Sequence, residues 1–194
     1  MRTTEIGKYK QLNEIAESGG IVIFGNQEDQ AIPTCELRQA FAIEESIYNR
    51  SISELSIDDA VEVYKEVIEV LEPSVVLLHL GESDLARFSE KTTIFTDKYR
   101  ELIQYIKKQA PKCRIAVVSM KNYENDPKIK ELNEHLKFIA DSELCEYGDI
   151  ANRKVWNPKA TKDAVSFVYS IGFVHPLKGK RSLYDLVKVL FQQM

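Results

Sequence analysis

Acid–base chemistry is the reaction type that this sequence could most readily support. His175, followed by Pro176, precedes the last helical pattern, and Glu28, Asp29 and Glu82 stand in loops that follow predicted strands. A positioned imidazole is the commonest general base in enzymes, and a carboxylate can orient it or activate water itself. One of these acids could serve His175 in that way. Acids in such loops are more often solvated, so solvent exposure is the first expectation for all three.

The three cysteines, Cys35, Cys113 and Cys145, are too widely spaced for a disulfide framework or a zinc site. Cys113 and Cys145 each precede a predicted strand, where a small buried thiol is the simplest interpretation. Cys35, expected at the start of a helix, could form a displaced cysteine–histidine pair with His175, which is the weaker hypothesis. Because the histidines are also far apart in sequence, no metal site and no cofactor are expected.

Length and composition predict one soluble globular domain over residues 1–194. Hydrophobic residues make up 44% of the chain, and 26 basic against 30 acidic residues give a net charge of −4. This mild acid excess gives no electrostatic reason to bind nucleic acid or an anionic membrane. The longest apolar runs fall far short of the roughly 20 residues that a membrane span requires. Without a signal-peptide core near the N-terminus, the expected location is the cytoplasm.

Short continuous apolar runs predict buried strands. Runs of this kind, rather than alternating ones, are typical of parallel strands that are covered on both faces. The predicted strands lie at residues 21–24, 46–48, 75–78, 115–118 and 144–147. His79 belongs to the third apolar run and is interpreted as a hydrogen-bonded core histidine.

Between the strands, apolar residues repeat every three or four positions, which predicts helices. The first is expected over residues 57–71, beginning after Ser56 and stopped by Pro73. Further helices are predicted at residues 95–106 and 183–190, and another, entered through Pro127, at residues 129–139. Alternating strands and helices imply a three-layer α/β/α sandwich around a five-stranded parallel sheet. In such sheets the ligand site lies beyond the carboxyl ends of the strands, and the long irregular stretch 149–172 is a candidate functional loop.

Four sequence blocks stand at these strand ends and before the last helix. Residues 19–28, 47–53, 78–85 and 172–176 read GGIVIFGNQE, IYNRSIS, LHLGESDL and GFVHP. In this order and at these positions they resemble the SGNH or GDSL family of serine esterases and acyl hydrolases. The resemblance covers nearly the whole chain, from Gly19 to Leu190, and implies the flavodoxin-like three-layer fold of that family.

The resemblance also implies a role for each matching position. Gln27 occupies the position of the family's serine nucleophile, and Asn26 that of the aspartate before it. Ser51 stands where a glycine supplies an oxyanion donor, and Ser83 stands where an asparagine supplies another. His175 matches the catalytic base.

Two positions lack the group that this chemistry needs. A carboxamide such as Gln27 has no ionisable hydroxyl and cannot form an acyl-enzyme, and losing the serine costs about six orders of magnitude in subtilisin. The aspartate that would orient His175 is replaced by Gly172, and losing that orientation lowers kcat about 10⁴-fold in trypsin. Ser51 is tolerable because its donor is a backbone N–H, whereas the hydroxyl of Ser83 is shorter than an amide and less fixed.

The leading hypothesis is therefore a catalytically inactive SGNH-like protein that binds a small-molecule ester, an acetylated sugar or a partner. The alternative is an active ester hydrolase or acyl transferase with a relocated catalytic set that uses His175. A third interpretation is a signalling domain that shares only the α/β architecture. Against it, the first strand carries no receiver-like acidic cluster and no phosphate-binding loop follows it.

Overall fold

A computed structural model describes residues 2–122 and 125–151 together with Val187 and Phe191. Within these residues, five parallel strands form one sheet in the order β2-β1-β3-β4-β5. They are β1 (Ile21–Gly25), β2 (Ile47–Asn49), β3 (Val75–His79), β4 (Arg114–Val118) and β5 (Glu146–Gly148). The predicted fold class is confirmed, and each strand lies within a few residues of its predicted position.

Strands β1 and β3 are neighbours at the centre of the sheet, although they are separated in sequence by β2. Ile21 lies opposite Val75, and Gly25 lies opposite His79. Both strands are buried along their whole length, as their continuous apolar sequences predict. The register places the loops that follow β1 and β3 side by side. The residues that follow β1, β2 and β3 are called the carboxyl end of the sheet below.

Helices cover the sheet on both faces. The helices in the described part of the chain are α1 (Arg2–Asn13), α2 (Thr34–Ala40), α3 (Ala60–Val63), α4 (Leu85–Phe88), α5 (Thr92–Gln109) and α6 (Pro127–Ser142). One apolar core joins α1, α3, α5 and α6 to one face of the sheet. The second core joins α2, Val187 and Phe191 to the other face. These two cores make the three layers of the sandwich.

Two of the predicted helices are regular. Helix α5 buries the whole predicted stripe, namely Phe95, Tyr99, Leu102, Ile103 and Ile106. Helix α6 begins at Pro127, as predicted, and the Asp126 side chain caps it by accepting the N–H of Lys128 at 2.8 Å. Of the fourth predicted helix, only Val187 lies within the described residues, where it and Phe191 are helical.

The helix predicted over residues 57–71 is less regular than expected. It begins where predicted, with the Ser56 hydroxyl accepting the N–H of Asp58 at 3.3 Å. It then runs as a 3-10 turn, helix α3, a π-helical segment (Tyr64–Ile68) and a second 3-10 turn. This segment is rich in β-branched residues, which favour the α-helix weakly, so we infer that packing against the sheet sets its geometry. Among the described residues, no helix combines the length and the apolar character of a membrane span.

The end of β1 depends on a residue without a side chain. A Cβ at Gly25 would lie 1.9 Å from Oδ2 of Asp29 and 2.7 Å from its Cγ. Gly25→Ala should therefore lower the free energy of unfolding by about 1–3 kcal/mol, which is the typical effect of overpacking. Urea unfolding of the purified variant measures this change.

Gly7→Ala is the matched control, because no atom lies within 4 Å of a Cβ at that helical position. Alanine favours the helix over glycine by about 1 kcal/mol, so this control should unfold at the same urea concentration as the parent protein or at a higher one. A Gly25→Ala variant as stable as the parent would contradict the close approach of the Asp29 carboxylate.

Candidate functional site

The loop after β1 is held by a buried carboxylate. Asp29 lies in a 3-10 turn (Glu28–Ala31) and is fully shielded from solvent. Both of its carboxylate oxygens lie 2.9 Å from Nδ1 of His79, the last residue of β3. Its Oδ2 also accepts the backbone N–H of Asn26 at 2.8 Å. A single side chain therefore joins the ends of the two central strands.

His79 is nearly as deeply buried as its partner. Its residue is 4% exposed, and the ring of Phe191 packs edge-on against it with the ring centroids 5.0 Å apart. Because a carboxylate accepts hydrogen bonds, Nδ1 of His79 carries a proton and donates it to Asp29. Nε2 has no hydrogen-bond partner in the part of the chain that the structure describes. The interpretation of His79 as a hydrogen-bonded core residue is thus confirmed for Nδ1.

Asn26 adds a second link between β1 and β3. Its Nδ2 donates to the backbone carbonyl of His79 at 3.0 Å, and the residue is 2% exposed. Its Oδ1 is buried and has no hydrogen-bond partner among the described residues. A buried polar atom without a partner destabilises a protein by about 1–3 kcal/mol.

The loop after β2 is attached to the same cluster. Nδ2 of Asn49 donates to the backbone carbonyl of Asp29 at 2.6 Å, and Oδ1 of Asn49 accepts the N–H of Ser51 at 3.1 Å. The Ser51 N–H, which the resemblance assigns as an oxyanion donor, is therefore already engaged. The Ser51 hydroxyl is buried and has no hydrogen-bond partner in the described residues.

The loop after β3 turns at Gly81, whose φ of 132° suits glycine. The 3-10 turn that follows (Glu82–Asp84) exposes Ser83 and buries Asp84. Asp84 accepts hydrogen bonds from the Ser56 hydroxyl at 2.7 Å and from the N–H of Ile57 at 3.0 Å. This carboxylate fastens the loop to the start of the helical segment after β2.

Two further acids, Glu28 and Glu82, lie in the 3-10 turns that follow β1 and β3. Glu28 and Glu82 are exposed, as expected for acids in loops. Partial burial raises the pKa of the Glu82 carboxyl, and the negative charge of Glu28 raises it further. The expectation of solvent exposure is wrong for Asp29, because the sheet register brings it against His79 rather than into solvent.

The structure brings some of the predicted site residues together. Gln27 is exposed directly before the 3-10 turn of Asp29, while Ser51 and Ser83 follow the two neighbouring strands. His175 lies outside the described residues, as do Gly172 and most of the candidate loop 149–172. The arrangement of these three strand-end residues around His175 therefore stays a prediction.

Cys113 and Cys145 precede strands and so lie at the amino end of the sheet, opposite this cluster. Cys35 is exposed on α2, and Cys113 and Cys145 are partly buried just before β4 and β5. Burial raises the pKa of the Cys113 thiol to about 12, and it also raises that of Cys145. Neither thiol is activated as a nucleophile. No cluster of metal-ligating side chains is present among the described residues.

Solved structures with this arrangement of strands and helices include esterases and lipases, although no family model and no curated protein matches the sequence. A protein from Streptococcus pneumonia, proposed to be a platelet activating factor, has a TM-score of 0.67 at 17% identity over 81% of this chain and 78% of its own. A GDSL-like lipase from Bacteroides thetaiotaomicron has a TM-score of 0.61 at 17% identity, covering 85% of this chain and 91% of the lipase.

A mutant acetyl-xylooligosaccharide esterase from Geobacillus Stearmophilus has a TM-score of 0.58 at 18% identity, covering 86% of this chain and 98% of the esterase. The chain has the SGNH hydrolase fold.

The Asp29–His79 pair is the main feature that the sequence did not predict. Removing one partner of a buried hydrogen bond leaves the other polar group unsatisfied, which typically destabilises a protein by about 1–3 kcal/mol. Asp29→Ala should show a loss of this size in urea unfolding, because it leaves His79 buried without its partner.

Glu28→Ala is the matched control, since Glu28 is the exposed neighbour of Asp29 in the same 3-10 turn. This variant should stay within about 0.5 kcal/mol of the parent protein. Equal stability of the two variants would show that the Asp29–His79 contact does not hold the loop.

Proposed function

We propose that this SGNH-fold protein binds a small ester or an acetylated sugar at the carboxyl end of its sheet without hydrolysing it through a serine nucleophile. The observation that carries the proposal is the position of Gln27. It is exposed at the end of β1, directly before the turn of Asp29. A relative with the same fold would present its nucleophile there.

A carboxamide at this position does not support covalent catalysis. Its nitrogen lone pair is delocalised, and the side chain has no ionisable proton that a histidine could remove, so no acyl-enzyme forms. The amide instead offers two donors and an acceptor to a bound molecule. Gln27 is therefore suited to hold a carbonyl or hydroxyl group of a ligand.

The second strand end supports the same proposal. An oxyanion hole requires preorganised donors that are free to contact the developing charge. The N–H of Ser51 donates to Oδ1 of Asn49 instead. The loss of the nucleophile at Gln27 is thus accompanied by the loss of one donor.

The ligand class follows from the similar structures. They include an acetyl xylan esterase and an acetyl-xylooligosaccharide esterase, which are named for acetylated sugars. A pocket that keeps their shape but lacks a nucleophile would retain such a ligand. The three unpaired cysteines suit the reducing conditions of the cytoplasm, which we propose as the location.

An active hydrolase or acyl transferase that uses His175 with a relocated catalytic set is the second candidate. The Asp29–His79 pair favours it, because a carboxylate bound to an imidazole Nδ1 is the arrangement of a general base. Against it, the His79 ring is 4% exposed and lies under Phe191. Water and substrate would both have to reach Nε2 in this enclosed position.

Hydrolysis of p-nitrophenyl acetate distinguishes the two candidates. The parent protein should show no turnover above buffer, because it lacks a nucleophile that can be acylated, and His175→Ala should give the same rate. Clear turnover that either His175→Ala or His79→Ala abolishes would refute the binding proposal and support the active hydrolase.

The double substitution Gln27→Ser with Gly172→Asp serves as the positive control. It restores a hydroxyl and a carboxylate at the two altered positions, and weak ester hydrolysis should appear if the Ser83 hydroxyl stabilises the oxyanion. The single substitution Gln27→Ser should gain less, because the base would still lack its orienting carboxylate.

A further inference from the structure

Helix α1 is attached to the rest of the protein mainly by polar contacts. Of its residues 3–13, only Tyr9 is buried, and Ile6 packs partly buried against the same apolar core. A helix of 12 residues is only marginally stable by itself in water, and the glycine at position 7 weakens it further. The helix therefore depends on the few contacts that dock it.

Several of these contacts are made with the residues that follow β2. The Tyr9 hydroxyl donates to the backbone carbonyl of Ser51 at 2.7 Å. The Glu5 carboxylate accepts the hydroxyl of Ser53 at 2.7 Å and its backbone N–H at 3.2 Å. It also accepts Nε2 of Gln30, in the turn after β1, at 2.8 Å. One helix thus joins two of the loops at the carboxyl end of the sheet.

Arg50, the first residue after β2, is enclosed by α1 and has no carboxylate among its contacts in the described residues. The residue is 5% exposed. Its Nε donates to Oδ1 of Asn13 at 2.9 Å, and its guanidinium lies 5.2 and 5.3 Å from the ring centroids of Tyr9 and Tyr48. Burial lowers the pKa of this guanidinium. Because burying a cation without a counter-charge is unfavourable, the hydration that Arg50 gains when α1 leaves offsets part of the lost contacts.

The remaining contacts of α1 are weak compared with those of the sheet. Lys10 pairs with Glu66 at 2.7 Å, but both side chains are about half exposed, and such pairs contribute little. Nδ2 of Asn13 donates to the carbonyl of Val67 at 2.7 Å. Strands β1 and β3 are instead buried along their whole length, and elements of that kind open at the free energy of global unfolding. Release of α1 should therefore require less free energy than unfolding of the sheet.

We propose that α1 is released from the otherwise folded protein as a local unfolding unit, and that its release exposes Arg50 and loosens the loops that Glu5 and Tyr9 hold. The sheet stays folded in this open state. Since those loops follow β1 and β2, the docking of α1 controls how ordered the carboxyl end of the sheet is. This inference goes beyond the proposed function, because it concerns the chain alone and requires no ligand.

Native-state hydrogen exchange of the full chain, followed by NMR, measures this release. The Ser53 amide donates to Glu5, so its protection reports the docking of α1. The amides of Leu77 and Leu78, buried in β3, report global unfolding. We expect protection factors in α1 and at Ser53 that are at least about a hundredfold lower than those in β3. Equal protection in all three places would overturn the inference.

Two substitutions in α1 should change the release in opposite directions. Tyr9→Phe removes only the hydroxyl that donates to Ser51, so protection in α1 and at Ser53 should fall about fivefold, the effect of one ordinary hydrogen bond. Gly7→Ala should raise both about fivefold, because alanine favours the docked helix over the unfolded segment. A Tyr9→Phe variant that loses protection in α1 but not at Ser53 would show that the helix does not hold the loop.

Ile103→Val is the matched control, since it removes one buried methylene from α5, away from α1. It should lower protection in β3 about fivefold and leave α1 and Ser53 unchanged, because α5 stays packed when α1 is released. Protection that falls equally in α1 and β3 would mean that α1 opens only with the whole protein, which would overturn the inference. None of these measurements involves a ligand or ester turnover, so the proposed function stands or fails separately.

Discussion

The contact between Asp29 and His79 connects the ends of the two central strands, and the geometry of the surrounding loops depends on it. Its two distances of 2.9 Å require that Asp29 enter the protein interior, and the absence of a side chain at Gly25 leaves room for it. Asn26 and Asn49 then bind the backbone around this pair. Because the pair is buried, its loss would leave one group without a partner in a nonpolar environment.

This arrangement has a consequence for function. The pair fixes the loop that carries Gln27, which under the proposed function stands where a serine esterase of this fold would present its nucleophile. The rigidity that an active site requires is retained, and it serves equally well to preorganise a binding site. Under the proposed function, a retained scaffold without a serine nucleophile would bind a ligand rather than react with it.

The sequence predicted the fold well because its signals are local. The continuous apolar runs predict all five strands. The apolar stripes predict the buried face of α5 and the start of α6 at Pro127. The mixed geometry of residues 57–71 was not predictable in the same way, because apolar periodicity does not distinguish an α-helix from a helix with a π segment. Ser56 and Pro73 mark only its two limits.

The site was harder to predict because its central contact is distant in sequence. Asp29 and His79 are 50 residues apart and meet only through the parallel register of β1 and β3. One signal could have revealed the pair. His79 ends an apolar strand, and Asp29 follows the strand that lies beside it in the sheet. The engagement of the Ser51 N–H has a local cause instead: it depends on the side chain of Asn49, two residues earlier, and not on the residue at position 51.

Incubation with a fluorophosphonate probe followed by peptide mass mapping tests the central claim most directly, namely that no residue at the carboxyl end of this sheet can be acylated. An active SGNH esterase treated in parallel should be labelled on its serine. We expect no adduct on the residues that follow β1, β2 and β3 or on the segment around His175. An adduct on a serine or a cysteine at any of these positions would contradict the account.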